Sequence, residues 1–105
     1  MTIYLESNME KRDLDLNKTV ARIQQMDALF DILLQAEKAG TLYSKGNEAG
    51  KRLPELVRYY ENGQWLEDYE LDEAGVLPQW LKRGVLAQDS VYDFLERNRE
   101  LQVFE

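Results

Sequence analysis

The sequence has no cysteine and no histidine. The first absence excludes disulfides, a thiolate nucleophile and cysteine-ligated zinc. The second removes the commonest general base and metal ligand near neutral pH. Long apolar runs are missing too. The longest stretch without a charged residue is Ala74–Leu81, interrupted by Pro78, whereas a membrane-spanning helix needs about 20 apolar residues. Met1–Asp13 lacks the apolar core of a signal peptide, so the expected compartment is the cytosol. No glycine-rich phosphate loop is present, and Lys45-Gly46 and Lys51-Arg52 do not follow its pattern. Ser44 and Ser90 have no histidine to activate them.

Bases are scarce in one half only. Residues 1–60 hold nine acids and nine bases, and residues 61–105 hold eleven acids and four bases. The whole net charge of −7 therefore sits on the second half. Such a surface repels phosphate backbones, which argues against direct nucleic-acid binding. It suits solubility or the steering of a basic partner.

At 105 residues the chain is the size of one domain. Its hydrophobic content of 44% supports a core. Residues 1–16 read as an N-terminal arm, with Ile3 and Leu5 alternating as in a few strand-like residues. A single helical domain is expected over 17–105. Asn17 is placed to cap a helix, and Val20, Ile23, Met26, Leu29, Phe30, Leu33 and Leu34 recur at helical spacing up to a stop at Gly40. Asp27 and Glu37 interrupt any coiled-coil seam. Gly40–Gly50 reads as a loop or a poorly formed helix. Pro54 fits the first turn of the next helix, with Leu53, Leu56, Val57 and Tyr60 as its stripe and Asn62-Gly63 as its end, giving a helical hairpin.

Tyr59–Phe94 is the most specified stretch, with seven of the eleven aromatics and both tryptophans. Gln64–Glu73 reads as a short helix anchored by Trp65, Leu66 and Tyr69 and stopped at Gly75. Val76-Leu77 are expected in the core. Pro78 starts a further turn around Trp80, with Gly84 as its stop. Gln88 to about Glu100 is the last helix, with Val91, Tyr92, Phe94 and Leu95 facing inward and Asp89 favourably placed in its first turn. Both tryptophans are expected to be buried. The fold class is all-α: a helical hairpin, a compact Trp-rich helical cap and a C-terminal helix.

Arg22-Ile23-x-x-Met26, Tyr59-Tyr60, Trp65-Leu66-Glu67-Asp68-Tyr69-Glu70, Asp72-Glu73-Ala74-Gly75, Leu77-Pro78, Leu81-Lys82-Arg83-Gly84-Val85-Leu86 and Asp89-x-x-Tyr92-x-x-Leu95 carry a resemblance. Over Arg22 to Leu101 the chain resembles a family of small bacterial proteins of unknown function, the DUF family numbered 4298. Two positions depart from that pattern. Ala87 stands where a serine cap is expected, and Gly40–Gly50 is richer in glycine. The resemblance implies a helical, cytosolic, bacterial protein and brings no activity.

Asp68 and Asp72, four apart, have the spacing to share a divalent cation on a helix. With Glu70 they imitate the first positions of a calcium loop, but Glu73 and Gln79 stand where that loop needs glycine and a bidentate glutamate. No metal, cofactor or catalytic residue is assigned. Lys82 and Arg83 are expected to pair with Glu67, Asp68 or Asp72. The function expected is a non-enzymatic protein-interaction or regulatory module. Its partner-binding candidates are Trp65, Leu66, Glu67, Asp68, Tyr69, Glu70, Asp72, Glu73, Lys82 and Arg83, and its partner is a basic protein. The sequence leaves homo-oligomer formation open. Two alternatives stand beside this reading: an acidic inhibitor that mimics nucleic acid, and a small carboxylate- or metal-dependent enzyme.

Overall fold

The computed structural model describes the backbone of residues 2–44, 46 and 48–99, and the side chains of these from Asp15 onward. Helices account for 72% of the described residues, and no strand occurs among them. The elements are α1 (Thr2–Lys38), α2 (Glu48–Lys51), α3 (Leu53–Glu61), α4 (Gln64–Glu73), a 3-10 turn (Gly84–Leu86) and α5 (Ser90–Arg97).

Helix α1 corrects the expected start at Asn17 and the strand-like reading of Ile3–Leu5. Thr2–Lys38 contains neither glycine nor proline, the residues that most disfavour a helix interior. Asn17 is an exposed residue within the helix. An asparagine caps only where the preceding chain leaves the helix, and here it does not. On one side of α1 Thr19, Ile23, Asp27, Phe30 and Leu33 are buried at three- and four-residue spacing. Beyond Lys38 the chain turns at Gly40, and the Thr41 N–H reaches back to the Ala36 carbonyl at 2.9 Å.

The glycine-rich connection has a steric reason at one position. A Cβ on buried Gly50 would lie 2.1 Å from the Leu42 carbonyl oxygen, so α2 packs against the loop only with glycine there. Pro54 opens α3 as expected. Leu53, Leu56 and Tyr59 are its buried residues, with Val57 and Tyr60 half-buried. At the α3–α4 joint Gly63 takes φ 93°, a left-handed conformation that glycine adopts without a Cβ clash. The Gln64 N–H donates to Asn62 Oδ1 at 2.9 Å.

Further expectations are corrected. Trp80 is 67% exposed and Val76 49% exposed, although Leu77 and Leu81 beside them are buried. Gly84 begins the 3-10 turn instead of stopping a helical turn. Tyr92 is 51% exposed, because Val91 and Phe94 already occupy the inward face of α5. Ala87 is not a cap: its carbonyl accepts the Ser90 N–H at 3.1 Å, and Asp89 precedes the helix. The last helix, expected over Gln88 to about Glu100, runs from Ser90 to Arg97, with Asn98 as its C-cap.

The core joins Ile23, Leu29, Phe30 and Leu33 of α1 to Leu53, Leu56 and Tyr59 of α3, Trp65 of α4, Val85 and Leu86 of the 3-10 turn, and Val91 and Phe94 of α5. Phe30 and Phe94 meet edge to face at 5.7 Å and 87°, a favoured aromatic geometry. Asp27, the acid in the α1 stripe, is buried because its Oδ1 accepts the Val85 N–H at 3.0 Å. That bond fixes the 3-10 turn to α1.

Candidate functional site

Helix α4 carries most of the candidate residues, and its two faces differ. Trp65, Asp68, Tyr69 and Asp72 follow i, i+3, i+4, i+7 spacing and turn toward the protein. The Trp65 indole is buried, and its Nε1–H donates to the Val85 carbonyl at 2.7 Å. Asp68 is fully buried, which corrects its place on a solvated acidic face. Its Oδ1 accepts from Arg22 Nη2 at 2.6 Å, and its Oδ2 accepts from Arg22 Nε at 3.1 Å. The Tyr59 hydroxyl also donates to Oδ2, at 2.6 Å. One carboxylate thus ties α1, α3 and α4 together. Burial first, and then the bond to Asp68, push the Tyr59 hydroxyl far above its ordinary value.

Asp72 is engaged as well. Arg83 Nη1 donates to its Oδ1 at 2.5 Å, and the same guanidinium donates to the carbonyls of Pro78 and Leu81. Arg83 therefore forms the ion pair expected of the Lys82-Arg83 pair. Asp68 and Asp72, the carboxylates spaced to share a cation, are each bound by an arginine. A base or metal-ligand role would have to displace those partners.

The outer face holds Leu66, 51% exposed, and the exposed Glu67, Glu70 and Glu73. Glu67 and Glu70 have no ion pair within 4.0 Å among the described residues. This face runs into a groove of about 400 Å³ between α4 and the start of α5, lined by Tyr60, Trp65, Leu66, Tyr69, Gln88, Asp89 and Tyr92. Trp65 and Tyr69 stack at 5.1 Å and 14°, and Tyr60 tilts against Trp65 at 5.1 Å. Partial desolvation raises the Tyr69 hydroxyl above its ordinary value. The nearby carboxylates of Glu73, Asp89 and Asp72 act in the same direction.

The sequence candidates thus divide. Leu66, Glu67, Glu70 and Glu73 share one accessible surface with the half-buried Tyr69 at its edge, while Asp68 and Asp72 are inner-face anchors. Lys82 lies elsewhere, at a smaller cleft of about 220 Å³ with Trp80, Gln24, Asp27, Ala28 and Asp31. Sequence reasoning missed Tyr60, Gln88, Asp89 and Tyr92 as groove residues. A signal existed for Tyr92: it lies off the Val91–Phe94–Leu95 stripe of α5. It missed Arg22 and Tyr59 as partners of Asp68, since Arg22 is 46 residues away.

Comparison with curated proteins finds partial similarity to plant lectins. Over 59 residues the chain is 34% identical to Concanavalin-Ma of Canavalia rosea. It is 32% identical to a lectin of Macropsychanthus comosus and to a lectin alpha chain of Dioclea grandiflora. Each match covers 56% of this chain and 25% of the lectin, so the chain spans a quarter of those relatives. No solved structure matches the chain. The model of the family described as "Domain of unknown function (DUF4298)" matches residues 23–104. That span takes in the last 16 residues of α1, with α2, α3, α4, the 3-10 turn and α5, and the chain belongs to the DUF4298 family.

Proposed function

We propose that this chain is a non-enzymatic interaction or regulatory module of the cytosol, and that the outer face of α4 meets a basic protein. The observation that carries this reading is the division of α4. Its inner acids are paired with Arg22 and Arg83, while Glu67 and Glu70 stay exposed beside an exposed leucine. Crowded like charges repel one another and cost stability. A steering role for a basic partner gives that cost a return. The enzyme reading draws no support from Asp68 or Asp72, each of which is paired with an arginine.

The test is affinity capture from the native cell, with the parent and Glu67→Lys/Glu70→Lys as paired baits, followed by mass spectrometry. The expected result is a basic protein retained by the parent and lost by the reversed bait. Identical sets on both baits would remove the reading. A captured partner that itself binds nucleic acid, and that added DNA displaces, would mark the chain as an acidic mimic.

A further inference from the structure

The geometry points to the groove between α4 and α5 as a receptor for an arginine side chain of the basic partner, seated against Tyr69 and Tyr92 with its charge on Asp89. This inference rests on the interaction-module reading and names the chemistry that the groove takes.

Three observations on the groove converge. Its walls are aromatic: Trp65 and Tyr69 are stacked, Tyr60 is tilted against Trp65, and Tyr92 is 51% exposed. Aromatic faces carry the negative part of the ring quadrupole and attract cations. The charge on the groove is of one sign, with Asp89 in the lining, Glu73 near enough to act on the Tyr69 hydroxyl, and no lysine or arginine among the lining residues. The volume of about 400 Å³ is ample for one guanidinium and its stem.

An apolar helix laid in this groove would strip water from Asp89 and give it no partner, which is costly. A cation satisfies both the rings and the carboxylate. Arginine fits better than lysine because its planar guanidinium lies flat on a ring while its N–H fork reaches a carboxylate. The chain uses that arrangement internally. On α5 the Arg97 guanidinium sits 5.8 Å from the Phe94 ring centre and binds Glu37 through two N–H groups, at 2.8 and 3.1 Å.

A blocked peptide of alternating arginine and glycine, titrated into the isotope-labelled full chain and followed by NMR, tests the assignment. A lysine–glycine peptide of equal length is the comparison. The expected result is a set of shifts centred on Tyr69, Gln88, Asp89 and Tyr92, with the arginine peptide binding several-fold tighter. Asp89→Asn should weaken that binding roughly tenfold, the scale of one lost charged hydrogen bond. Tyr92→Ala should weaken it while leaving the melting midpoint unchanged, since that ring is half exposed. Equal binding of the two peptides, absence of binding, shifts centred elsewhere or indifference to Asp89→Asn would each overturn the assignment. A cellular partner that is lost on the α4 charge reversals but binds Asp89→Asn and Tyr92→Ala like the parent would also overturn it, and would leave the module reading standing.

Discussion

Asp68 is the residue on which three helices converge. It has no exposed surface, and it binds Arg22 through two bonds and Tyr59 through a third. A fully bonded buried carboxylate holds its partners in one geometry, and removing it strands them. Asp68→Asn should cost about 3 kcal/mol, the low end for a broken buried pair, because Arg22 keeps 28% of its side chain in contact with solvent. Urea unfolding of parent and variant measures this, and equal midpoints would remove Asp68 from the role. Tyr59 gives a second readout. Its folded value is raised above the ordinary 10.0, so its stabilisation is complete below pH 10 and is lost as pH rises beyond it. In an ultraviolet titration Tyr59 should be the last tyrosine to ionise. Tyr59→Phe should flatten the alkaline fall in stability.

At the scale of the element, α4 shows why acids that look alike in sequence behave differently. All six acids between Glu61 and Glu73 read as one acidic run. Helical spacing separates them, since Asp68 and Asp72 share a stripe with Trp65 and Tyr69 while Glu67, Glu70 and Glu73 do not. That division was readable; the partners were not, because Arg22 and Arg83 arrive from other elements. The bounds of α4, the start of α3 at Leu53-Pro54 and the turn at Gly63 were legible because proline and glycine act locally. The extension of α1 through Thr2 was not, because a good capping residue at Asn17 looks the same whether or not helix precedes it. The two tryptophans separate a general tendency from a particular site. Large aromatic area favours burial, yet Trp80 follows a proline turn that sends Leu77 and Leu81 inward and leaves the indole out. Trp65→Ala should therefore cost ~3–5 kcal/mol, a large part of the ~5–15 kcal/mol that such a domain has. Trp80→Ala should stay within about 0.5 kcal/mol. Thermal melts of the two variants check the difference, and equal losses would contradict the placement of Trp80.

For the whole molecule, the C-terminal ends of α1 and α5 are joined by charge. Glu37 near the end of α1 binds Arg97 and Asn98 at the end of α5. The Arg97 bond first, and then Asn98, hold the Glu37 carboxyl below its ordinary 4.5. A lowered carboxylate stabilises above the unfolded value and loses that contribution as pH falls through the folded one. Below pH 4.5 the parent should therefore lose stability relative to Glu37→Gln, as read from urea midpoints at a series of pH values. Parallel curves for the two proteins would remove the contribution.

The described residues form a helical core that pairs its inner acids and leaves Glu67 and Glu70 of α4 exposed without an ion pair. The central claim is that this surface steers a basic partner. The most direct measurement is the association rate of the captured partner by surface plasmon resonance across a salt series, with the parent and Glu67→Lys/Glu70→Lys. Exposed charges are screened over about 8 Å at physiological salt. The account predicts that association slows as salt rises, that the charge reversals slow it further, and that the reversed protein keeps its parent circular dichroism. Association rates indifferent to both salt and the reversals would contradict it.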